Sequence, residues 1–504
     1  MPTNKKGKET VYRTEKVDLR EQQCQEVDKI CWEVKNVYNE AVFAIRQFLI
    51  FKNVSPDDLF SDDWEERQKN LTKYGVGESG KWLRYGKLDR MFKDHIDSEH
   101  PYRKLHSQVA QQTLKMVDQN FQSTFQSFKA YKKNPDRFDG KPNLPKYKHK
   151  RKGRCIAKFP KQGIKVIDIS DKDRSNGWAL SKVRLSTKNT LNHYFYFKTR
   201  LSKEFLEDKI QEVRLIPKGN DDYKAEIVYK IEVPEQSLTE KQVENLIDWS
   251  ARLNFDECMY IDLGLNNLAT VLNGGDSSSH IVNGRPVKAI NQYYNKRLSQ
   301  LRSSMKNTFV LDKNWDAVYC KSWPNKGKPI PQSHSQASAS LTKKRNNTIY
   351  DYFHKASRKI VEWAVDSGNK YIIIGKNKGW KNKINIGKKN NQNFVQVPFN
   401  KLISMINYKA QEEGIQIISV EESYTSKVDH LAGEAMKKQK KYLGQRKYRG
   451  LFVSSAGVEL NADVNGCIGI GRKVTGEDSF EDFRRDVVGR GGLNPPVKRE
   501  PSGL

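Results

Sequence analysis

The stretch CMYIDLGLNNLATVLNG, Cys258–Gly274, decides how this 504-residue chain is read. Its first half is an apolar run of strand character, interrupted by Asp262. A carboxylate in such a strand is costly unless a partner or a metal offsets its desolvation. Gly264 follows and permits a sharp turn, after which a second apolar run, LATVL, predicts a second strand. Alone, IDLG is a weak signal, because many strands end in Asp-x-Gly turns.

Downstream, SHIVNG predicts a third strand. A long helix is expected over about Leu341–Ser367, with Ile349, Phe353, Ala356, Ile360 and Ala364 on one face. In KYIIIGKNKGWK (Lys370–Lys381) the segment Tyr371–Ile374 reads as a buried strand, followed by a basic Asn/Lys/Gly loop that ends at Pro398. A helix over Phe399–Glu412, the strand IQIISVEE, an irregular Lys-rich stretch and a helix near LNADVNG complete the series. Three strands and then alternating helices and strands match the RNase H-like order, a mixed sheet of order 3-2-1-4-5.

Upstream, ETVYRTEKVDLR alternates like a strand, and helices are expected over Glu21–Phe51 and, in shorter pieces, Trp64–Phe92. The clearest helix spans Ser107–Lys133, where Leu114, Val117, Phe121, Phe125 and Phe128 form one apolar stripe suited to core packing. Pro135 and Gly140 break it. KPNLPKYKHKRKGR (Lys141–Arg154) then packs seven Lys or Arg around Tyr147, a candidate phosphate-contacting segment through Lys146, Tyr147, Lys148, Lys150, Arg151 and Lys152. Cys155–Glu235 is rich in strand-like runs separated by turns, which suggests a small β-barrel completed by the N-terminal strand.

Ninety Lys plus Arg against sixty Asp plus Glu leave a net charge of +30, which implies a polyanionic partner, with a ribosome-associated basic protein as the bland alternative. No long apolar run predicts a membrane span, and MPTNKKGKET has no apolar core for a signal peptide; a cytoplasmic protein is expected, nucleoid-associated if its host is prokaryotic. The six cysteines are scattered without a CxxC pair, which argues against a disulfide framework and a cysteine zinc ribbon. In DHIDSEH, His95 and His100 could bind a metal, but an exposed acidic loop before a helix is the simpler reading.

Phosphodiester hydrolysis by two metal ions needs carboxylates from separate elements that hold the ions about 3.5–4 Å apart. Hard, oxygen-preferring Mg²⁺ suits such a site. Asp262 fits the first ligand. Asp463, in NADVNG, is ambiguous alone, since acidic residues at helix starts also act as caps. The pair, in this order along an RNase H-like pattern, is a much stronger signal.

These segments, with DYFHKASRKIVEWA, IVNGRPVKAINQYYNKRL, NQNFVQVPFNKLISMINYKAQEEGI and EESYTSK, resemble the TnpB family of insertion-sequence-encoded, RNA-guided RuvC nucleases related to Fanzor proteins and type V CRISPR effectors. The resemblance is dense over about Tyr260–Val474; SQVAQQTLKMVDQNFQSTF and KPNLPKYK extend it. It implies an α+β multidomain chain: an RNase H-like (RuvC) nuclease domain and an N-terminal wedge β-barrel interrupted by a helical recognition domain. The expected boundaries are 1–20 and 151–245 for the wedge, 21–150 for the helical domain with its basic linker, 246–425 and 456–504 for the nuclease, and 426–455 for a target-nucleic-acid-binding insert. A guide RNA, double- and single-stranded DNA and Mg²⁺ are the implied partners, with no membrane. Further nucleic-acid contacts are expected at Lys376, Lys378, Trp380 and Lys381, in the basic loop, and at Lys427. The alternative is a nuclease-inactive, RNA-guided DNA-binding repressor; a guide-independent resolvase is a third reading.

Two departures matter. Most relatives carry four zinc-binding cysteines after a TSQ segment, whereas YTSKVDHLAGEAMKKQKKYLGQRKYRG has none, so no zinc is expected. Most also carry Glu where Gly375 stands; a subgroup shares both traits. Adjacent strands lie ~4.8 Å apart, so a Glu from the strand beyond Gly375 must cross ~10 Å to reach Asp262, over a position with no bulky side chain. Glycine provides that space. Glu421 and Glu422 are the candidates. Alternation does not choose, since Ile415 and Ile417 share parity with Glu421 while Ile418 and Val420 share it with Glu422. The resemblance favours Glu422, giving Asp262, Glu422 and Asp463 as expected catalytic metal ligands.

Overall fold

The computed structural model describes residues 7–50, 83–94, 99–169, 179–188, 193–219, 222–239, 242–244, 253–304, 336–376, 396–448 and 450–499. The chain forms two compact units, Thr10–Glu232 and Met1–Glu9 with Val233–Leu504.

In the first unit, strand β1 (Lys8–Asp18) leads into helix α1 (Glu21–Ile50), followed by α2 (Tyr85–Asp94), a single turn Pro101–Lys104, and α3 (Ser107–Lys133). The remainder of the expected Trp64–Phe92 helices lies outside the described residues. The stripe on α3 does what its spacing demands: Leu114, Val117 and Phe121 are fully buried against α1. Phe125 and Phe128 are only partly buried. His100 caps the Pro101 turn, accepting from Tyr102 N at 3.2 Å, and pairs with Glu40 at 2.9 Å. His95 lies outside the described residues.

Strands β2 (Ala157–Pro160), β3 (Ile164–Ile167), β4 (Ser181–Ser186) and β5 (Tyr194–Thr199), helix α4 (Lys203–Lys209), and strands β6 (Ile210–Gly219) and β7 (Asp222–Pro234) follow. They make a four-stranded sheet of order β1-β7-β6-β2 and a three-stranded sheet β3-β4-β5, sharing one core with the helices. The N-terminal strand joins β7 at the edge of the four-stranded sheet.

The second unit opens with β8 (Cys258–Leu263), β9 (Asn267–Asn273) and β10 (Ser279–Asn283), then α5 (Arg285–Ser304), α6 (Gln336–Asp366), β11 (Tyr371–Gly375), α7 (Phe399–Glu412) and β12 (Gln416–Val420). A small sheet of β13 (Gln445–Tyr448), β14 (Leu451–Val453) and β15 (Glu459–Asn461) precedes α8 (Ala462–Arg472), α9 (Glu477–Gly489) and β16 (Val497–Arg499). The main sheet runs β12-β11-β8-β9-β10-β16, which is the expected order 3-2-1-4-5 with one further edge strand. Strands β8, β11 and β12 are parallel.

Both faces of this sheet are covered. Met259, Ile261, Ile372 and Ile374 pack with α6 and α7, burying all five residues of the α6 stripe. Tyr260, Ile373, Ile418 and Val420 pack with Cys467, Ile468 and Ile470 of α8. Each large side chain so buried contributes about 1.5–3 kcal/mol, which holds two strand faces at once. The described cysteines (Cys24, Cys31, Cys155, Cys258, Cys467) are buried free thiols. Among the described residues no helix is long and apolar enough to cross a membrane.

Candidate active site

Alternation along three parallel strands brings the site together. Cys258 and Tyr260 face the α8 layer, and Asp262 is the next residue of that parity. Tyr371 and Ile373 face the same layer and Gly375 follows; Ile418 and Val420 do so, and Glu422 follows just beyond the strand end. Register pairs Ile374 with Ile261 and Gly375 with Val420, so these residues end their strands at one level. The carboxyl ends of parallel strands are where open α/β sheets bind ligands. From the opposite side Asp463 enters on the first turn of α8, whose N-cap Asn461 accepts from Asp463 N at 2.9 Å.

The space between these residues is set by two glycines. A Cβ at Gly375 would collide with Glu422 Oε1, would lie 2.6 Å from its Cγ, and 2.7 Å from Ile470 Cδ1. The Glu422 side chain therefore lies over Gly375, along the path toward Asp262. A Cβ at Gly466 would lie 2.8 Å from Asp262 Oδ2, so α8 approaches β8 closely only because that position is glycine. Glu421 turns away. It is exposed, its carboxylate accepts from Ser423 Oγ at 2.8 Å, and its carbonyl accepts from Lys473 Nζ at 2.7 Å.

The electrostatics follow from this crowding. Burial raises the Asp262 carboxyl well above the usual range, and the Glu422 and Asp463 charges raise it further, with Arg446 opposing. Burial pushes Glu422 up to about 7, against the pull of Lys473. Asp463 accepts from Asn267 Nδ2 at 2.7 Å and faces the Arg446 guanidinium at 3.6 Å.

Among the described residues no three His, Cys, Asp or Glu side chains are gathered tightly enough to hold one ion between them. The donors nevertheless suit a divalent cation in chemistry, being carboxylate oxygens alone, and Gly375 and Gly466 keep their cradle free of side-chain bulk. The set fits a hard, oxygen-preferring ion.

Two family models match this unit in order. Residues 256–381 match the model described as "Probable transposase", of the OrfB_IS605 type, and residues 399–470 match the "Cas12f1-like, TNB domain". The TnpB-like protein ORF457 of Acidianus two-tailed virus is 25% identical over 218 residues, 43% of this chain and 41% of that protein. Over this part of its length the chain is similar to the TnpB family. The aligned part spans about two fifths of that relative's length. Among solved structures, Cas12f1 from its complex with single-guide RNA and target DNA is 12% identical, with a TM-score of 0.46 over 88% of this chain and 82% of that one. The mini-RNA-guided endonuclease CRISPR-Cas_phi3 is 12% identical, with a TM-score of 0.43 over 93% and 92%.

The expected nucleic-acid contacts fall in several places. Lys146, Tyr147, Lys148, Lys150, Arg151 and Lys152 are all exposed. Their backbone is held against one face of α1: Lys35 donates to Lys150 O (3.0 Å), Asn39 bonds both Lys148 N (2.8 Å) and Lys148 O (3.0 Å), and Arg46 donates to Pro145 O (2.7 Å). With the backbone satisfied from α1, the cationic side chains remain open to solvent. Lys427 is exposed, and Lys376 is partly buried with its N–H on Val420 O at 2.7 Å. Lys378, Trp380 and Lys381 lie outside the described residues. Sequence reasoning missed Asn267, Arg446, Lys473 and Gly466, which surround the carboxylates. Only Gly466 left a signal, as a glycine inside a helical pattern that marks close approach.

Proposed function

We propose that this chain is an RNA-guided DNA endonuclease of a transposable element, which binds a guide RNA derived from the transposon end and cuts target DNA beside a short adjacent motif. The reading is supported above all by Asp262, Glu422 and Asp463 entering one cradle from three elements, with the Glu422 side chain lying over Gly375. These three residues would hold Mg²⁺, which supplies activation of water and stabilisation of the leaving oxygen. The chain's own side chains prepare for it: Asn267 and Arg446 orient Asp463, and burial makes Asp262 and Glu422 carboxylates that favour a positive partner.

The strand-rich first unit is read as the wedge barrel, with its helices as the recognition insert. Its exposed linker Lys146–Lys152 holds nucleic-acid backbone by charge, while base pairing with the guide supplies sequence recognition. The insert around Lys427 is read as a target-strand contact that needs no zinc.

The test is cleavage of a guide-matched plasmid by the protein purified with its RNA. Mg²⁺-dependent cutting that follows the guide supports the reading. Tight guided binding without cutting would return it to a DNA-binding repressor, and cutting by RNA-free protein to a guide-independent nuclease.

A further inference from the structure

Tyr424 adopts a backbone conformation that tyrosine rarely accepts. Its φ is +65°, in the left-handed region that glycine favours. It is the third residue of the turn Glu422–Thr425, closed by Thr425 N donating to Glu422 O at 3.2 Å. Glycine or asparagine is the ordinary choice at such a place.

The surroundings impose the conformation. Thr425 Oγ1 donates a second bond to Glu422 O, at 2.9 Å. Thr425 is buried, and its own carbonyl bonds His430 Nε2 at 2.8 Å. His430 is fully buried against Gly469 of α8, where a Cβ would collide with its ring. The turn is thus clamped on both sides of Tyr424, while the tyrosine side chain itself is 43% exposed. Strained residues held in place by their neighbours cluster at active sites and ligand clamps. Nothing in the turn calls for an aromatic side chain, since glycine would serve the backbone better.

Resting on the endonuclease reading, we propose that Tyr424 is a stacking platform for a nucleobase of the strand being cut, setting the scissile phosphate against the carboxylates. The ring is two residues from Glu422 on a clamped turn, so a base stacked on it inherits a fixed position relative to that carboxylate. Stacking accepts any base, which suits an enzyme whose sequence choice lies elsewhere.

The experiment uses the full protein with its RNA and a guide-matched target. Tyr424→Gly should melt at the same temperature as wild type or higher, because it relieves the backbone, yet cleave about ten- to hundredfold more slowly. Tyr424→Phe should cleave like wild type. 2-Aminopurine placed near the cut site in the DNA should be quenched on binding by wild type and Tyr424→Phe, but not by Tyr424→Gly; the same probe in the guide RNA should be indifferent to all three. Cleavage by Tyr424→Gly at the wild-type rate overturns the proposal, as does an equal loss in Tyr424→Phe or a response only from the RNA probe. If wild type itself does not cut, the endonuclease reading falls and takes this proposal with it.

Discussion

Two groups of carboxylates in the second unit are taken out of water in opposite ways. Asp429, fully buried, accepts from Ser454 Oγ (2.7 Å), Ser455 N (2.7 Å), Ser455 Oγ (3.0 Å) and Ala432 N (3.2 Å). Glu434 accepts from Asp429 N (2.8 Å) and Leu443 N (3.1 Å). Together they tie residues 429–455 into one piece. Asp262 is instead set against two further carboxylates, Glu422 and Asp463. Burial alone therefore does not mark a site. A carboxylate supplied with N–H and O–H donors is held as an anion, and one set against other carboxylates resists ionisation.

The contrast is broken most directly by removing one member of each group. Asp262→Ala and Glu422→Ala should each abolish cleavage, by about three orders of magnitude or more, with guide and target binding intact. Glu421→Ala should cleave nearly like wild type. A cleaving Glu422→Ala variant with an inactive Glu421→Ala would reverse the assignment. Gly375→Ala should slow cleavage about tenfold or more by pushing the Glu422 side chain off its path, without lowering affinity for target; single-turnover rates and filter binding separate the two.

Asp429→Ala should act on stability instead. It leaves buried donors unsatisfied, at a cost on the order of 3 kcal/mol. A melting temperature lower by roughly 5 °C would follow for a unit of this size. Cleavage below the melting temperature should stay close to wild type. A fully stable, cleavage-dead Asp429→Ala would place that residue with the site and erase the distinction.

The smallest effect is in the pH dependence of stability. The folded Glu422 titrates at about 7, above its ordinary value, so at intermediate pH the folded protein keeps a proton that the unfolded chain has lost. Its contribution is fully present at low pH and disappears as pH rises through about 7. In chelator, the melting temperature of wild type should fall between about pH 5 and 8 more steeply than that of Glu422→Gln. Equal slopes would mean that Glu422 is solvated like any surface glutamate.

Much of this arrangement is legible in the residues. The strand order follows from the succession of apolar runs and amphipathic helices, and the α6 stripe from its spacing of three and four, because both periodicities are local properties of the backbone. Asp262 stands out because a charge in an apolar strand needs a reason. The space at Gly375 could be argued from strand separation alone. The buried network around Asp429 could not, since its partners Ser454 and Ser455 lie 25 and 26 residues away and form no local pattern.

The choice between Glu421 and Glu422 belongs wholly to the tertiary structure. A strand with one wet face declares its inside by alternation, but β12 is flanked by apolar residues of both parities because helices cover both faces of its sheet. Ile417 packs toward α6 and α7, while Ile418 and Val420 pack toward α8. Only the packing of α8, with Gly466 against Asp262, determines which of these faces becomes the site. Glu422 then continues that face and Glu421 does not. Period-two alternation specifies which residues share a side; which side meets α8 is specified by contacts between residues far apart in the chain.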